Sequence, residues 1–333
     1  MNSLLLALAG AVLATNPPVA VTNLVVPRPG ISVPAADPKD PVEQEFRKLL
    51  VTDDEAQAEA DKWIGENKAY AEKGAGITEA ALSMRIRQRF ESVRRAYEDF
   101  IQLHPKHVGA RLAYGSFLGD LNKDDEAVKQ WERARELDPL NPAALNNLAN
   151  YYGHQGPVTN AFALYDQVIE LNPKEPVYYQ NLATTVFLFR KDAMEYYRMD
   201  EQKVFDRSLA LYRKALDLDP DNFVLASDLA QTYYGIKPQR LKEALTAWQH
   251  ALKVAGDDIE RQGVYLHLAR LELGAGQFDV AWQHLHSVTN SMYDTLKSRL
   301  VRNLEQKQKA ATNAPPASPD AKPEPASGKP PGS

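Results

Sequence analysis

Between about residues 41 and 308, apolar side chains recur at intervals of three and four. Strand-like alternation is missing, and prolines and glycines fall between the apolar runs rather than inside them. The pattern predicts helices throughout this region, an all-α fold. One closing phrase is repeated: "FIQLHP" (100–105), "ARELDP" (134–139), "VIELNP" (168–173) and "ALDLDP" (215–220), with prolines stepping by 34, 34 and 47 residues. Proline cannot continue a helix and holds its predecessor extended, so each phrase reads as the last turn of a helix and its stop.

Let the proline be position 32 of a unit. The unit from Val108 then carries Tyr114, Gly115, Leu118, Ala127, Trp131 and Ala134 at positions 7, 8, 11, 20, 24 and 27. The next, from Pro142, carries Leu145, Leu148, Ala149, Tyr152, Gly156, Ala161 and Tyr165 at 4, 7, 8, 11, 15, 20 and 24. Small residues at 8 and 20 suit a close approach of two helix backbones, and the large ones fill the space around it. Such a hairpin leaves an apolar face uncovered, so units have to stack.

These residues resemble the tetratricopeptide repeat family over roughly residues 74–289. The resemblance implies a right-handed solenoid of helical hairpins with repeats at 108–141, 142–175, 176–222, 223–258 and 262–289. Residues 41–107 are expected to hold capping helices, at about 42–50 and 53–72, and a degenerate second helix at 77–105. Residues 290–308 are expected to form a closing helix. The long step falls in the third unit, where "RKDAMEYYRMDEQ" keeps helical spacing. Two lengthened helices projecting by roughly 10 Å are expected there, turning near Arg198 to Glu201 with Asp200 as N-cap.

In this family the first helix of each hairpin lines an inner wall that commonly binds extended peptides or helices. The corresponding positions here are Leu112, Ser116, Asn146, Asn150, Gln180, Thr184, Phe187, Ser227, Gln231 and Tyr234. They are expected either to form a mainly uncharged groove or to be solvent-tolerant helix residues without a ligand. Some members clamp an acidic C-terminus. Asn150 and Asn181 match that pattern, but its basic positions hold Asn146, Val224 and Asp228, which disfavours an acidic tail in this wall. Phe189, Met194, Tyr196, Tyr197 and Phe205 on the lengthened hairpin are expected either to pack together or to form a docking arm.

The ends differ. Residues 1–14, "MNSLLLALAGAVLA", read as a signal peptide, with a short anchor or a mere apolar tail as the alternative because no Lys or Arg precedes the apolar run. Export, to a periplasmic or envelope-associated location, follows from the first reading. Residues 15–40 and 309–333 are proline-rich linker and tail, expected to be disordered.

The chain has 39 basic and 44 acidic side chains, a formal charge of -5, no basic run and no cysteine. That composition argues against nucleic acid as partner and excludes thiolate chemistry. No phosphate loop, HExxH or GxSxG is found. His284 and His286, two apart on a helix, point to different faces, so no metal site or cofactor is expected. Asp192 and Glu195 read as a solvated face or as ion pairs with Arg190, Lys191 or Arg198. The sequence therefore leads to a non-enzymatic interaction scaffold of the envelope. A chaperone or assembly factor, an accessory subunit of an envelope enzyme, and self-association through the end faces remain as alternatives.

Overall fold

The computed structural model describes residues 40–313. Among them there are α-helices and two short 3-10 turns and no strand. The chain is a solenoid of helical hairpins and divides into two compact units, one through Pro238 and one from Gln239.

The first unit holds α1 (Pro41–Ala71), α2 (Glu79–Leu103), α3 (Val108–Asp120), α4 (Asp124–Leu137), α5 (Pro142–Gln155), α6 (Val158–Leu171), α7 (Pro176–Leu188), α8 (Arg190–Tyr197), α9 (Glu201–Leu218) and α10 (Phe223–Thr232). A 3-10 turn, Tyr233–Gly235, follows α10. The hairpins are α3 with α4, α5 with α6 and α7 with α9, each packing on the next. Ala127, Ala134, Ala149, Ala161 and Ala183 have no exposed surface, so the small positions lie at the helix crossings.

The repeated phrase has a common geometry. The residue before the proline leaves helical geometry in all four helix ends, with φ/ψ of -123/65 at His104, -138/88 at Asp138, -138/80 at Asn172 and -139/77 at Asp219. In two of them the aspartate also bridges to the next helix start. Asn141 donates to Asp138 at 3.0 Å and Asn222 donates to Asp219 at 2.8 Å. Each asparagine meanwhile accepts from a first-turn amide, Asn141 from Ala143 N at 3.1 Å and Asn222 from Leu225 N at 3.1 Å. One short phrase ends a helix and caps its successor.

Gly115 plays a different part from the one expected. A Cβ there would stand 2.6 Å from Cδ1 of Trp131, so the missing methyl makes room for an indole ring rather than for a second backbone.

The structure departs from expectation in three further places. Residues 41–71 form one helix instead of two. The side chain of Thr52 turns back to donate to Lys48 O at 2.9 Å, and the fully buried Asp53 carboxylate accepts from Tyr97 at 2.7 Å and Gln57 at 2.8 Å. Asp53 is thus used sideways and starts no new helix.

The insertion, second, does not lengthen the first helix of its hairpin. The chain leaves helical geometry at Phe189 (φ -103, ψ 43), and the eight-residue α8 folds back on α6. Tyr197 donates to Asp166 at 3.1 Å and its ring packs against Phe162 at 5.5 Å. Arg207 lies 4.0 Å over the Tyr197 ring and donates to the same Asp166 at 3.0 Å. Arg198 ends α8 in the left-handed region (φ 54), and Asp200 caps α9 by accepting from Lys203 N at 2.9 Å. Arg190 pairs with Glu201 at 3.0 Å, so its partner is neither Asp192 nor Glu195.

The second unit, lastly, holds α11 (Leu241–Val254), α12 (Asp258–Gly274), α13 (Phe278–His286), a 3-10 turn (Ser291–Tyr293) and α14 (Asp294–Asn313). The boundary at Pro238 falls inside the segment expected as the fourth repeat, and α14 runs past residue 308 into the expected tail. Leu266, Ala269, Leu273, Ala281, Leu285, Leu300 and Leu304 make its core. His284 bonds Glu272 at 2.8 Å while His286 bonds Trp282 O at 2.8 Å, so the two rings diverge.

Candidate functional site

The helices α3, α5, α7 and α10 of the first unit carry nine of the ten expected wall residues, and the tenth, Tyr234, lies in the turn after α10. Their positions share one helical face, but the neighbours decide which of them reach solvent. Leu112, Asn146 and Thr184 are only 2%, 1% and 4% exposed, whereas Ser116, Asn150, Gln180, Phe187, Ser227, Gln231 and Tyr234 are half-buried.

The buried amides hold the stack together. Asn181 donates to Asn146 at 3.1 Å and Gln180 donates to Asp228 at 2.8 Å. In both cases position 5 of one repeat meets position 6 of the next. A second rule links position 9 to position 24 inside a repeat: Tyr165 donates to Asn150 at 2.6 Å, and the Thr184 and Tyr212 hydroxyls share a bond of 2.6 Å. The first repeat has Trp131 at position 24 opposite Ser116, and its buried indole N–H has no partner. These bonds substitute for the water that a half-buried polar face would otherwise hold.

Asp228 is the outlier of the wall. It is 2% exposed, and burial pushes its carboxyl from 3.8 up to about 7 against the opposing hydrogen bond from Gln180. Burial also raises the Tyr212 hydroxyl, with Asp228 adding to the effect, so the tyrosine stays a neutral hydrogen-bonding group. Phe187 is pinned as well: its Cε atoms lie 3.3 Å from where a Gly235 Cβ would be, and its ring faces Phe205 at 5.9 Å.

The arm residues do not form a projecting anchor. Phe205 is 2% exposed, and Phe189, Met194 and Tyr197 are half-buried against the core that includes Phe162 and Leu182. Tyr196, at 40%, is the exposed one of the five. The cause is the break at Phe189, which lays α8 on α6. Residues 1–14, most of the segment at 15–40 and the tail beyond 313 lie outside the described residues, as do the signal and disorder expectations attached to them.

Residues 118–176 match the family model described as tetratricopeptide repeat. Those residues carry the tetratricopeptide repeat pattern. Tetratricopeptide stacks are protein interaction modules, built from hairpins that lean on their neighbours. A peroxisomal targeting signal receptor of Komagataella phaffii is 29% identical over 189 residues, which is 56% of this chain and 29% of the receptor. Cellulose synthase operon protein C of Pseudomonas fluorescens is 29% identical over 133 residues, 40% of this chain and 10% of that protein. The matched repeats thus span less than a third of these relatives. Among solved structures, the type IV pilus biogenesis factor PilW superposes with a TM-score of 0.51 at 15% identity, covering 67% of this chain and 96% of PilW, a likeness of fold.

Sequence reasoning named Asn181 and Asp228 only as clamp positions and missed that they bridge the repeats. The usable signal is a polar residue at position 5 of one repeat together with another at position 6 of the next. Such pairs, at 146 with 181 and at 180 with 228, stand 35 and 48 residues apart.

Proposed function

We propose that the chain is a non-enzymatic scaffold whose tetratricopeptide wall binds an extended segment or helix of a partner protein. The observation that carries this reading is the run of half-buried, uncharged side chains along α3, α5, α7 and α10: Ser116, Asn150, Gln180, Ser227 and Gln231, with Phe187 and Tyr234 at one end. Amides and hydroxyls of this kind hydrogen-bond a peptide backbone with little demand on its sequence, and the two rings supply apolar contact. Some of the relatives are, by name, receptors for a targeting signal, which fits the same use. Export to the envelope is part of the proposal and rests on the apolar run at residues 1–14.

Asn146 is a poor probe, because at 1% exposure a charged replacement would break the stack. Ser116→Arg with Gln231→Arg tests the wall at half-buried sites. Peptides selected on the wild-type chain from a displayed random library should lose binding to the double variant, whose circular dichroism should be unchanged. Retained binding by a folded double variant would refute the wall as the site.

A further inference from the structure

One edge of the first unit gathers open apolar side chains. The second helix of each hairpin ends there: Leu103 is the last residue of α2, Leu171 the last of α6, and Leu140 lies in the turn between α4 and α5. They are 68%, 39% and 58% exposed. Between residues 90 and 238, Tyr196 is the one other large apolar side chain this open among the described residues. The opposite edge, where the hairpins turn, carries exposed polar side chains such as Asn122, Gln155 and Thr159. Apolar side chains that recur in register on successive repeats mark an interaction surface.

The start of the described chain stands at the same edge. In the first turn of α1, Glu43 meets His107 at 3.1 Å, and His107 is the N-cap of α3. Phe46 packs on His107 at 4.6 Å and on Phe100, three residues before Leu103, at 5.7 Å. The chain that precedes Asp40 therefore departs beside Leu103.

That segment, residues 15–39, lies outside the described residues, and its sequence suits the row. Apolar residues cluster at Ile31 with Val33 and at Leu24 to Val26. In an extended proline-rich chain, rising about 3.1 Å per residue, the two clusters stand about 22 Å apart. Second helices of neighbouring hairpins, two helix spacings of about 8–10 Å apart, recur at roughly 16–20 Å. A chain leaving beside Leu103 thus reaches Leu140 with the nearer cluster and Leu171 with the farther one. Prolines at 27, 29, 34 and 38 carry no N–H, so such a chain lies on a surface without a strand partner. From Thr15 to Ala36 the sole charged side chain is Arg28, so little charge is desolvated.

We propose that residues 24–33 lie along this edge, with Ile31 and Val33 on Leu140 and Leu24 to Val26 on Leu171. The segment braces the turns between successive repeats. It leaves the wall open, because the wall residues stand along the faces of the first helices rather than on this row of turns.

The chain has no cysteine, so disulfide trapping is a direct test. Asn23→Cys is combined in the full chain with Lys174→Cys, in the turn after α6, or with Thr159→Cys, in the first turn of the same helix; both positions are exposed. They lie at opposite ends of a helix about 20 Å long. A free segment of this length reaches both within a few-fold of the same rate, whereas a docked one meets only position 174. Under mild oxidation in dilute solution, the pair at 23 and 174 should close an intramolecular disulfide about tenfold faster than the pair at 23 and 159. Leu140→Asp, at an exposed site, should leave the circular dichroism unchanged and slow closure at 23 and 174 about tenfold. Rates within a few-fold of each other for the two pairs would overturn the proposal, as would closure that Leu140→Asp leaves untouched. Covalent dimers in place of intramolecular closure would overturn it too, since the edge would then belong to a second copy.

Discussion

Asp228→Asn should stabilise the protein above neutral pH and destabilise it slightly in acid. Asp228 sits on α10 at 2% exposure, accepts from Gln180 at 2.8 Å, and has its carboxyl raised by burial from 3.8 to about 7. The folded state therefore holds the proton more tightly than the unfolded chain does. The stability linked to this proton is full below the ordinary carboxylate pKa, declines as pH rises from about 3.8, and is gone above about 7. A shift of about three units corresponds to roughly 4 kcal/mol. Asparagine keeps the shape and the acceptor oxygen but adds an amide N–H that must find a partner, a cost of about 1–2 kcal/mol. The net gain above pH 7 is then about 2 kcal/mol, or roughly 4–8 °C in the melting temperature of a unit of this size. Thermal unfolding followed by circular dichroism from about pH 4 to about pH 8.5 measures it, and the curves of variant and parent should cross. If the difference between them has no slope across that range, Asp228 is not protonated in the fold as argued.

Gly115→Ala sets a gain of about 1 kcal/mol in helix propensity against an overlap with the Trp131 indole costing about 1–3 kcal/mol. The expected outcome is a lower urea midpoint, and an unchanged or higher one would show that the ring does not depend on that space. Asn181→Ala strips the buried Asn146 of its donor and should cost about 1–3 kcal/mol, whereas Asn147→Ala, half-buried on α5, should stay within about 0.5 kcal/mol in the same assay. Equal effects at 147 and 181 would remove the bridge from the account of stacking.

Much of the solenoid was legible because it is written in local features. The proline at position 32, the alanines at 20 and the aromatic at 24 each act through sterics within one hairpin, and the structure places them as stops and crossings. The candidate wall was legible only as a set of positions. Which members face solvent depends on the rotation of the neighbouring helix, so the repeat register assigns Leu112, Asn146 and Thr184 to the wall although the adjacent helices bury them. The insertion failed for a related reason. Its helical spacing is real, but a spacing cannot say whether a helix extends its predecessor or turns back, and at Phe189 the decision rests on Tyr197 reaching Asp166 and Arg207 on other helices.

By itself, then, the sequence determined the helical class, the hairpin unit, the stops between helices and the repeat family it resembles, since these follow from side-chain periodicity and backbone sterics over a few residues. Tertiary structure alone decided the single long α1, the folded-back α8, the use of the position-5 amides as bridges between repeats and the gathering of Leu103, Leu140 and Leu171 on one edge. Each of these joins groups distant along the chain, and the free energy of burying a polar group depends on the partner that the packing brings to it.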